Sequence, residues 1–292
     1  MVEHNGAPAA AAGRITLDAG MTVNRMGFGA MRLTGPGIWG EPEAPEECRK
    51  VLRRALELGI DFIDTADSYG PHVSERLIAE TLSPYPPGLV IATKGGQVRP
   101  GPSQWVPNGR PEHLRAALEG SLRRLRVDQI DLYQLHRPDP RVPFEESLGT
   151  LINMKAQGKI RAIGLSNVNE RQLQTGLRMT SIASVQNRYN LEDRQSEGVL
   201  RKCEEQGIAF IPWAPIMIGD AGADDTAERI ARRRGISLRQ LALAWILARS
   251  RQTLPIPGTA RVRHMEENVA AAAVRLAPEE AQELEAAYGV GQ

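Results

Sequence analysis

Short apolar runs alternate with longer amphipathic segments along almost the whole chain, and this order predicts a closed (β/α)8 barrel. The apolar runs have the length of strands, and the segments between them carry the 3.6-residue spacing of helices. From Phe28 to Leu254 is 226 residues over seven steps, about 32 per unit, and a βαβ unit takes roughly 30 residues. An open doubly wound sheet of the same length is the competing arrangement.

Each barrel unit can be placed on the chain in order. The eight predicted strands are residues 27–33, 62–65, 89–93, 130–135, 162–166, 184–187, 209–213 and 253–256. The eight predicted helices are residues 46–58, 73–82, 111–125, 144–157, 170–178, 198–206, 238–248 and 262–274. A β-hairpin of residues 15–17 and 21–23 precedes the barrel, and residues 277–288 add a C-terminal helix. Since no Pro- or Ser-rich linker interrupts the series, residues 14–292 are expected to form one domain behind a disordered segment, residues 1–13.

Charge balance and cysteine usage exclude several classes of protein. With 36 Lys+Arg against 35 Asp+Glu, no broad basic surface is left for nucleic acid, and the basic run at residues 232–234 is most simply a solvated helix end. The longest apolar run, residues 241–248, is far shorter than the roughly 18 to 20 residues that span a bilayer. Cys48 and Cys203 lack a CxxC spacing, so neither a metal cluster nor a disulfide scaffold is expected. Without a signal peptide at its start, the protein is expected in the cytoplasm.

Four residues that can carry protons follow the ends of successive predicted strands. Asp64 ends the second strand, Tyr69 follows in its loop, Lys94 ends the third and His136 ends the fourth. Active sites of such barrels lie at this end, and charges buried there must pair, because an unpaired buried charge is costly. Singly, the four could be a turn former, a loop aromatic, a surface lysine and a core histidine. Together they indicate a proton-transfer group.

Each member of this group has a role that fits its chemistry. A tyrosine is a poor acid at neutral pH unless a nearby ammonium stabilises its phenolate. Lys94 would supply that charge, and Asp64 would keep Lys94 protonated and oriented. Neutral His136 would donate a hydrogen bond to a substrate oxygen.

At these residues the chain resembles the aldo-keto reductases, and in particular their short-tailed, bacterial-type members. The resemblance covers residues 15–288 through eight blocks in order: GFGAMRL, DFIDTADSYG, IATKGG, DLYQLHRPD, IRAIGLSN, VQNRYN, FIPWAP, and PIPGT followed by HMEEN. It implies a barrel that binds a nicotinamide cofactor, usually NADPH, and passes hydride to a carbonyl carbon while a tyrosine protonates the oxygen. The family's catalytic residues fall on Asp64, Tyr69, Lys94 and His136.

The resemblance also assigns residues to the nicotinamide end of the cofactor. The groups that grip its carboxamide fall on Ser166, Asn167 and Gln186, whose hydroxyl and amide groups complement an amide ligand. Trp213 takes the place of the tyrosine that commonly stacks on the ring. Without the family, Asn167 and Gln186 would be interpreted as a turn former and a buried network residue, and Trp213 as a core residue.

The phosphate and adenosine ends are expected at residues 215–220 and at the start of the eighth helix, because glycine turns and helix N-termini present free N–H groups. The candidate residues are Pro215, Gly258, Thr259, Arg261, Arg263, His264, Glu267 and Asn268. Two of them depart from the family: Gly258 replaces a lysine often set against the 2′-phosphate, and His264 stands where many relatives have arginine. The arginines could instead form a solvated helix face, so a preference for NADPH over NADH is expected but its strength is open.

The expected partner is a small molecule with a carbonyl group. Loops 33–42 and 97–108 would frame its cleft, with Trp39 and Trp105 as apolar walls, which suits a small hydrophobic aldehyde or ketone. The chain stops soon after its last predicted helix, so a more open site than in longer members is expected. Two other functions stay open, an isomerase or lyase with Lys94 as a Schiff base and a nucleotide-binding regulatory or redox-sensor protein. A monomer or weak homo-oligomer is expected.

Overall fold

A computed structural model describes residues 6–216 and 226–288 of the chain. The strands in these ranges are β1 (Arg14–Thr16), β2 (Thr22–Asn24), β3 (Phe28–Gly29), β4 (Phe62–Asp64), β5 (Val90–Gly95), β6 (Gln97–Val98), β7 (Val106–Pro107), β8 (Ile130–Leu135), β9 (Ile160–Ser166), β10 (Ser184–Gln186) and β11 (Ala209–Phe210). The helices in these ranges are α1 (Pro45–Glu57), α2 (Val73–Leu82), α3 (Pro111–Leu125), α4 (Phe144–Ala156), α5 (Glu170–Met179), α6 (Glu197–Gln206), α7 (Thr226–Arg234), α8 (Leu238–Arg249), α9 (Val262–Ala270) and α10 (Pro278–Ala287). In this part of the chain no helix combines the length and apolarity needed to cross a membrane.

Seven of the strands form one parallel sheet that curls into a barrel wall, which confirms the predicted (β/α)8 barrel. The order across the sheet is β11-β10-β9-β8-β5-β4-β3. The eighth predicted strand bridges its two edges, because Leu254 N donates to Phe210 O at 2.8 Å and Gly27 N donates to Pro255 O at 3.0 Å. Pro255 and Pro257 have no N–H to donate, so this segment pairs through a few backbone hydrogen bonds and an isolated bridge at Thr253 instead of forming a regular strand.

The predicted hairpin, formed by β1 and β2, packs against one end of the barrel interior. The two strands pair antiparallel. Leu17 and Val23 belong to the same buried apolar cluster as the barrel residues Phe62, Ala92 and Leu132. A second cluster contains the inward faces of the helices. Functional side chains therefore have room at the other end, where the strands finish.

Part of the segment predicted to be disordered is folded. Pro8–Ala12 forms a 3-10 helix in which Ala9 is fully buried, and Ala9 N donates to Leu58 O at 2.9 Å. Alanine methyl groups are small enough to pack tightly against the end of α1, where a longer side chain would not fit. The prediction of disorder over residues 1–13 is therefore wrong for this helix, while residues 1–5 lie outside the described part.

α7 is a helix that the sequence analysis does not predict. Only a few of its positions are apolar and buried, Ala227, Ile230 and Ala231, so charged residues mask its periodicity. Arg233 Nη2 donates to Glu280 Oε1 of α10 at 2.9 Å, and the neighbouring arginine also pairs with this carboxylate. The basic run at its end therefore joins two helices in addition to facing solvent.

The predicted C-terminal helix is present as α10, and most other boundaries move by one or two residues. Three predicted elements shorten by more than two residues: the eighth helix, in which α9 ends at Ala270 and a 3-10 turn follows, and the first and seventh strands. In the first strand, β3 passes directly into a 3-10 turn, Ala30–Arg32. In the seventh, β11 ends at Phe210, although Trp213 N still donates to Asn187 O at 3.0 Å. Both strands thus finish in backbone that bends over the end of the barrel.

Candidate active site

The ends of three neighbouring strands bring the predicted proton-transfer residues together. Asp64 ends β4, Lys94 lies near the end of β5, and His136 directly follows β8. β5 pairs with both β4 and β8, so these side chains converge, and Tyr69 enters from the loop after β4. Each of the four residues is at most 8 % exposed. The barrel geometry thus assembles the whole group in one buried place.

The ammonium of Lys94 is the centre of this group. Its Nζ donates to Asp64 Oδ2 at 2.6 Å, to Thr65 O at 2.9 Å and to Tyr69 Oη at 3.2 Å. The other carboxylate oxygen, Asp64 Oδ1, accepts from Gln134 Nε2 at 3.0 Å and from Gln186 Nε2 at 2.7 Å. All three ammonium protons and both carboxylate oxygens have partners, which is what makes a buried ion pair tolerable.

The electrostatics of the group set the protonation states of Lys94, Tyr69 and His136. Burial alone would lower the pKa of Lys94, but Asp64 and Tyr69 outweigh it and the pKa is raised, so the ammonium is retained. Burial raises the pKa of Tyr69, and the nearby Lys94 offsets this only in part, so the phenol keeps its proton. Burial, with Lys94, Arg137 and Arg99 nearby, holds the pKa of His136 well below its usual range, so the imidazole is neutral.

An aromatic wall faces the tyrosine. The rings of Tyr69, Trp105 and His136 meet edge to face, with centroids 5.9 to 6.3 Å apart. Arg99, carried by the loop that includes β6 and β7, lies 3.6 Å from the Trp105 ring and 5.8 Å from the Trp39 ring. Trp39 and Trp105, the predicted walls, are thus held by an arginine that the sequence analysis misses.

Arg99 is also a clamp on the surrounding backbone. Its guanidinium donates to Gly37 O at 2.8 Å, Ile38 O at 2.9 Å and Ser68 O at 3.0 Å. These carbonyls belong to two different loops of the site. A sequence carries no local signal for such a contact, because its partners are backbone atoms from distant segments.

The residues assigned to the nicotinamide carboxamide lie beside His136. Asn167 has a left-handed backbone, φ 56°, which asparagine tolerates better than most residues. Its Nδ2 donates to Ser166 Oγ at 2.9 Å and to His136 O at 3.0 Å, and its Oδ1 accepts from Trp213 Nε1 at 3.2 Å. Gln186 is joined to the group through Asp64. The four predicted residues therefore surround the same end of the barrel as the proton-transfer group.

A cleft of about 560 Å³ runs from the loop after β3 to the start of α9. The cleft wall at Ile38 is joined to the tyrosine loop, because Gly70 N donates to Ile38 O at 3.3 Å. Five predicted cofactor residues line the cleft: Gly258, Thr259, Arg261, His264 and Asn268. Asp64, Tyr69, Lys94 and His136 are not among its lining residues, so this cleft lies next to the predicted proton-transfer group and not around it.

Two lining residues carry marks of a binding surface. Asn268 is 2 % exposed, and its Oδ1 has no hydrogen-bond partner among the described residues, which is costly unless a ligand supplies one. A Cβ at Gly258 would lie 2.6 Å from Gly29 O. The replacement of the family's lysine by Gly258 therefore fits a close approach between the first and last barrel segments.

Of the eight residues predicted for the phosphate and adenosine ends, three do not line the cleft: Pro215, Arg263 and Glu267. Ile216 lines it instead of its neighbour Pro215, and the remainder of the predicted loop, residues 217–220, lies outside the described residues. Arg263 is exposed on the first turn of α9.

Two cations that the sequence analysis misses do line the cleft, Arg32 and Arg239. Arg239 is placed by the capping box of α8, in which Ser237 Oγ accepts from Gln240 N at 3.3 Å. Gln240 Nε2 in turn donates to Glu267 O of α9 at 3.2 Å. Capping residues before a helix predict where it begins, but which of its first-turn residues face a distant helix depends on the packing of the two.

This architecture and this group of side chains define a class of protein. A sequence model of the aldo/keto reductase family matches residues 25–289, and the chain belongs to that family. It is therefore an oxidoreductase of the aldo-keto reductase type, as the resemblance implies.

Two relatives and one solved structure illustrate how similar the chain is to other members of the family. The chain is 51 % identical over 260 residues to an uncharacterized oxidoreductase of Schizosaccharomyces pombe, covering 89 % of this chain and 85 % of the relative. It is 39 % identical over 265 residues to pyridoxine 4-dehydrogenase of Escherichia coli, covering 88 % and 92 %. An aldo/keto reductase of Klebsiella pneumoniae, solved with NADP and acetate, has a TM-score of 0.79 at 27 % identity, with 96 % of each chain covered.

Proposed function

We propose that this protein is an NADPH-dependent oxidoreductase that transfers hydride to the carbonyl carbon of a small aldehyde or ketone, with Tyr69 as the proton donor. The observation that carries the proposal is the buried chain from Asp64 through Lys94 to Tyr69, with His136 in edge contact with the phenol. Such a chain holds a proton at one oxygen while keeping a positive charge behind it.

The residues of the cleft fit a dinucleotide phosphate. Arg32, Arg239 and Arg261 offer cations, and the unpartnered Oδ1 of Asn268 can accept from an amino group or a hydroxyl. Trp213 offers a face for a planar ring. NADPH bound here would supply the hydride, and solved relatives from Klebsiella pneumoniae hold NADP or NADPH.

The proton-transfer group then completes the reduction. As hydride adds to the carbonyl carbon, the electron pair of the C=O bond moves to the oxygen, which takes the proton of Tyr69 Oη. Lys94 stabilises the phenolate that is left, 3.2 Å from its Nζ. Neutral His136 donates a hydrogen bond to the same substrate oxygen, which stabilises negative charge as it develops.

The aromatic wall supports the proposed class of substrate. Trp105 and Trp39, which both lie near the Arg99 guanidinium, favour a flat or small apolar aldehyde or ketone. The relative from Escherichia coli named pyridoxine 4-dehydrogenase adds pyridoxal, a flat aromatic aldehyde, to the compounds that a substrate survey should contain.

The test is Tyr69→Phe, which removes one oxygen and leaves the ring. We expect carbonyl reduction to fall at least about 100-fold, the usual contribution of a positioned proton donor, while the NADPH dissociation constant changes less than about twofold. Tyr85→Phe is the matched control, because its phenol donates to Leu125 O at 2.8 Å, outside the site. Retention of more than about a tenth of the wild-type rate in Tyr69→Phe would overturn the proposal.

A Schiff-base isomerase or lyase is disfavoured by the state of Lys94. Lys94 is fully buried, and all three protons of its ammonium group are donated in hydrogen bonds. The amine is therefore a poor nucleophile in this arrangement. Borohydride trapping with a carbonyl substrate would reveal such an enzyme. A regulatory or redox-sensor protein would bind NADPH and reduce no carbonyl compound in the survey.

The surroundings of the protein are part of the proposal. Cys48 and Cys203 are both buried free thiols, which fits the cytoplasm as a reducing compartment. The expected monomer or weak homo-oligomer can be checked by sedimentation at several concentrations.

A further inference from the structure

An acidic residue lies among the cations of the cleft. Glu47, on the first turn of α1, lines the cleft together with Arg239, Arg261 and His264. Its Oε1 accepts from Val262 N at 3.2 Å, the first amide of α9. A carboxylate of the protein therefore occupies an amide at a helix N-terminus, the kind of group that otherwise binds phosphate.

The packing of α1 against α9 fixes this carboxylate in place. Arg54 Nε donates to Glu266 Oε1 of α9 at 2.9 Å. Positions 47 and 54 are seven residues apart, about two helical turns, and lie on the same side of α1. Lys50 Nζ is 4.0 Å from Glu47 Oε2, too far for a strong hydrogen bond. The charge of Glu47 is thus held at α9 and only weakly neutralised by its own helix.

An independent observation indicates that a ligand is recognised here. Asn268 lies further along α9, in the lining of the same cleft, and is 2 % exposed. Its Oδ1 has no hydrogen-bond partner among the described residues. The two nicotinamide cofactors differ in this respect only at the adenosine ribose. NADH carries a 2′-hydroxyl, which donates to a carboxylate, and NADPH carries a phosphate, which a carboxylate repels.

We propose that Glu47 is a residue that determines cofactor specificity: its carboxylate opposes the 2′-phosphate of NADPH and accepts a hydrogen bond from the ribose hydroxyls of NADH. The inference rests on the proposed function, since it takes the cleft to be the adenosine end of the cofactor site. It gives a structural reason for a limited preference, with Arg239 and Arg261 favouring the phosphate and Glu47 opposing it.

The experiment compares Glu47→Gln with Glu43→Gln. Both side chains line the cleft, and both changes remove one negative charge at constant shape, but only Glu47 bonds to α9. Dissociation constants for NADPH and NADH are measured by titration of the intrinsic fluorescence. We expect Glu47→Gln to tighten the binding of NADPH about three- to tenfold and to leave the binding of NADH unchanged or weaker. Glu43→Gln should change either constant less than about twofold, because exposed charges are screened.

A fragment of the cofactor separates this inference from the proposed function. The binding of 2′,5′-ADP, which lacks the nicotinamide, should tighten in Glu47→Gln by the same factor as the binding of NADPH. In Glu47→Ala it should tighten at least as much. If the ratio of the NADPH and NADH dissociation constants were the same in Glu47→Gln, Glu43→Gln and the wild type, this inference would be overturned. The proposed carbonyl reduction would not be affected by that result. A wild-type protein that bound neither NADPH nor 2′,5′-ADP would overturn both.

Discussion

The proposed catalytic group and the proposed cofactor cleft are built in opposite ways. The ammonium of Lys94 and both carboxylate oxygens of Asp64 have partners, and the two residues are almost fully buried. Along the cleft, Arg32, Arg239 and Arg261 are exposed, and among the described residues no carboxylate lies within 4.0 Å of any of them. One region carries its own compensating charges, and the other leaves its cations available.

The two regions differ in how complete each is before a ligand binds. The proton-transfer group is preorganised, because strand ends fix its members and ion pairing sets their protonation states. The arginines of the cleft gain a charged partner only when an anion binds. Substitutions in the first region should therefore change stability and chemistry together, whereas substitutions of the exposed arginines in the second should change ligand affinity alone.

The largest effect is expected from Lys94→Met. Removing the ammonium leaves Asp64 as a buried charge without its partner, and loss of one member of a buried pair costs about 3 to 5 kcal/mol. The matched control is Lys159→Met, whose exposed pairing with Glu119 is worth about 0.2 to 1 kcal/mol. Urea unfolding followed by circular dichroism gives both values. Equal losses in the two variants would remove the contrast between the regions.

That the side chains of the proposed catalytic group come together could be predicted from sequence, because their positions depend on strand ends. A short apolar run marks a strand, and the residue that follows it must lie at one end of a parallel barrel. Asp64, Lys94 and His136 need nothing more to be brought together. Arg263 and Arg239 show the limit, since which face of a helix turns toward the cleft depends on its packing. Nothing in the local pattern favours Arg239 over Arg263.

The fold could be predicted to a similar depth, for a related reason. Repeating units of strand and helix are visible in the apolar pattern, including the hairpin that opens the chain. The eighth strand is irregular because its prolines lack N–H donors, and α7 is hidden by its arginines. The folding of Pro8–Ala12 depends on a contact with Leu58, which a local composition rich in alanine does not indicate.

Gly258→Ala should have the next largest effect and sharpens the explanation of the missing lysine. An added methyl group would lie 2.6 Å from Gly29 O, and overpacking of this kind costs about 1 to 3 kcal/mol. Gly149→Ala, in α4, is the control. Nothing lies within 4 Å of its added methyl group, and replacing a helical glycine stabilises by roughly 0.5 to 1 kcal/mol. Thermal unfolding should move in opposite directions, and a stabilised Gly258→Ala would contradict the close approach.

Within the cleft, Arg261→Ala and Arg263→Ala form a matched pair on neighbouring positions. Arg261 lines the cleft and Arg263 does not. A charge-assisted hydrogen bond contributes about 1.5 to 3 kcal/mol, and solvent exposure reduces this contribution. Arg261→Ala should therefore weaken the binding of NADPH about tenfold and have little effect on the binding of NADH. Arg263→Ala should change neither by more than about twofold. Equal losses of NADPH affinity in the two variants would indicate that Arg263 also contacts the cofactor. The effect of Arg261→Ala should become smaller as salt is added.

The smallest effect is expected from pH, and it tests whether His136 acts as a neutral donor. An imidazolium acid with the ordinary pKa of about 6.5 would make the rate fall as pH rises through that value. Burial and the cations around His136 lower its pKa well below the usual range, so kcat/KM should be level between about pH 6 and 8.

The same shift has a consequence for stability, with its sign fixed by proton uptake. Below about pH 6.5 the unfolded chain protonates this imidazole and the folded protein does not, so the free energy of unfolding falls as the medium becomes acidic. The loss continues until the pH reaches the lowered pKa of folded His136. His136→Gln should remove this part of the acid sensitivity, while its rate of carbonyl reduction drops for lack of the ring donor. A wild-type rate that declined tenfold per unit above pH 6.5 would identify a charged His136 as the acid, and the division of roles between His136 and Tyr69 would then have to be reversed.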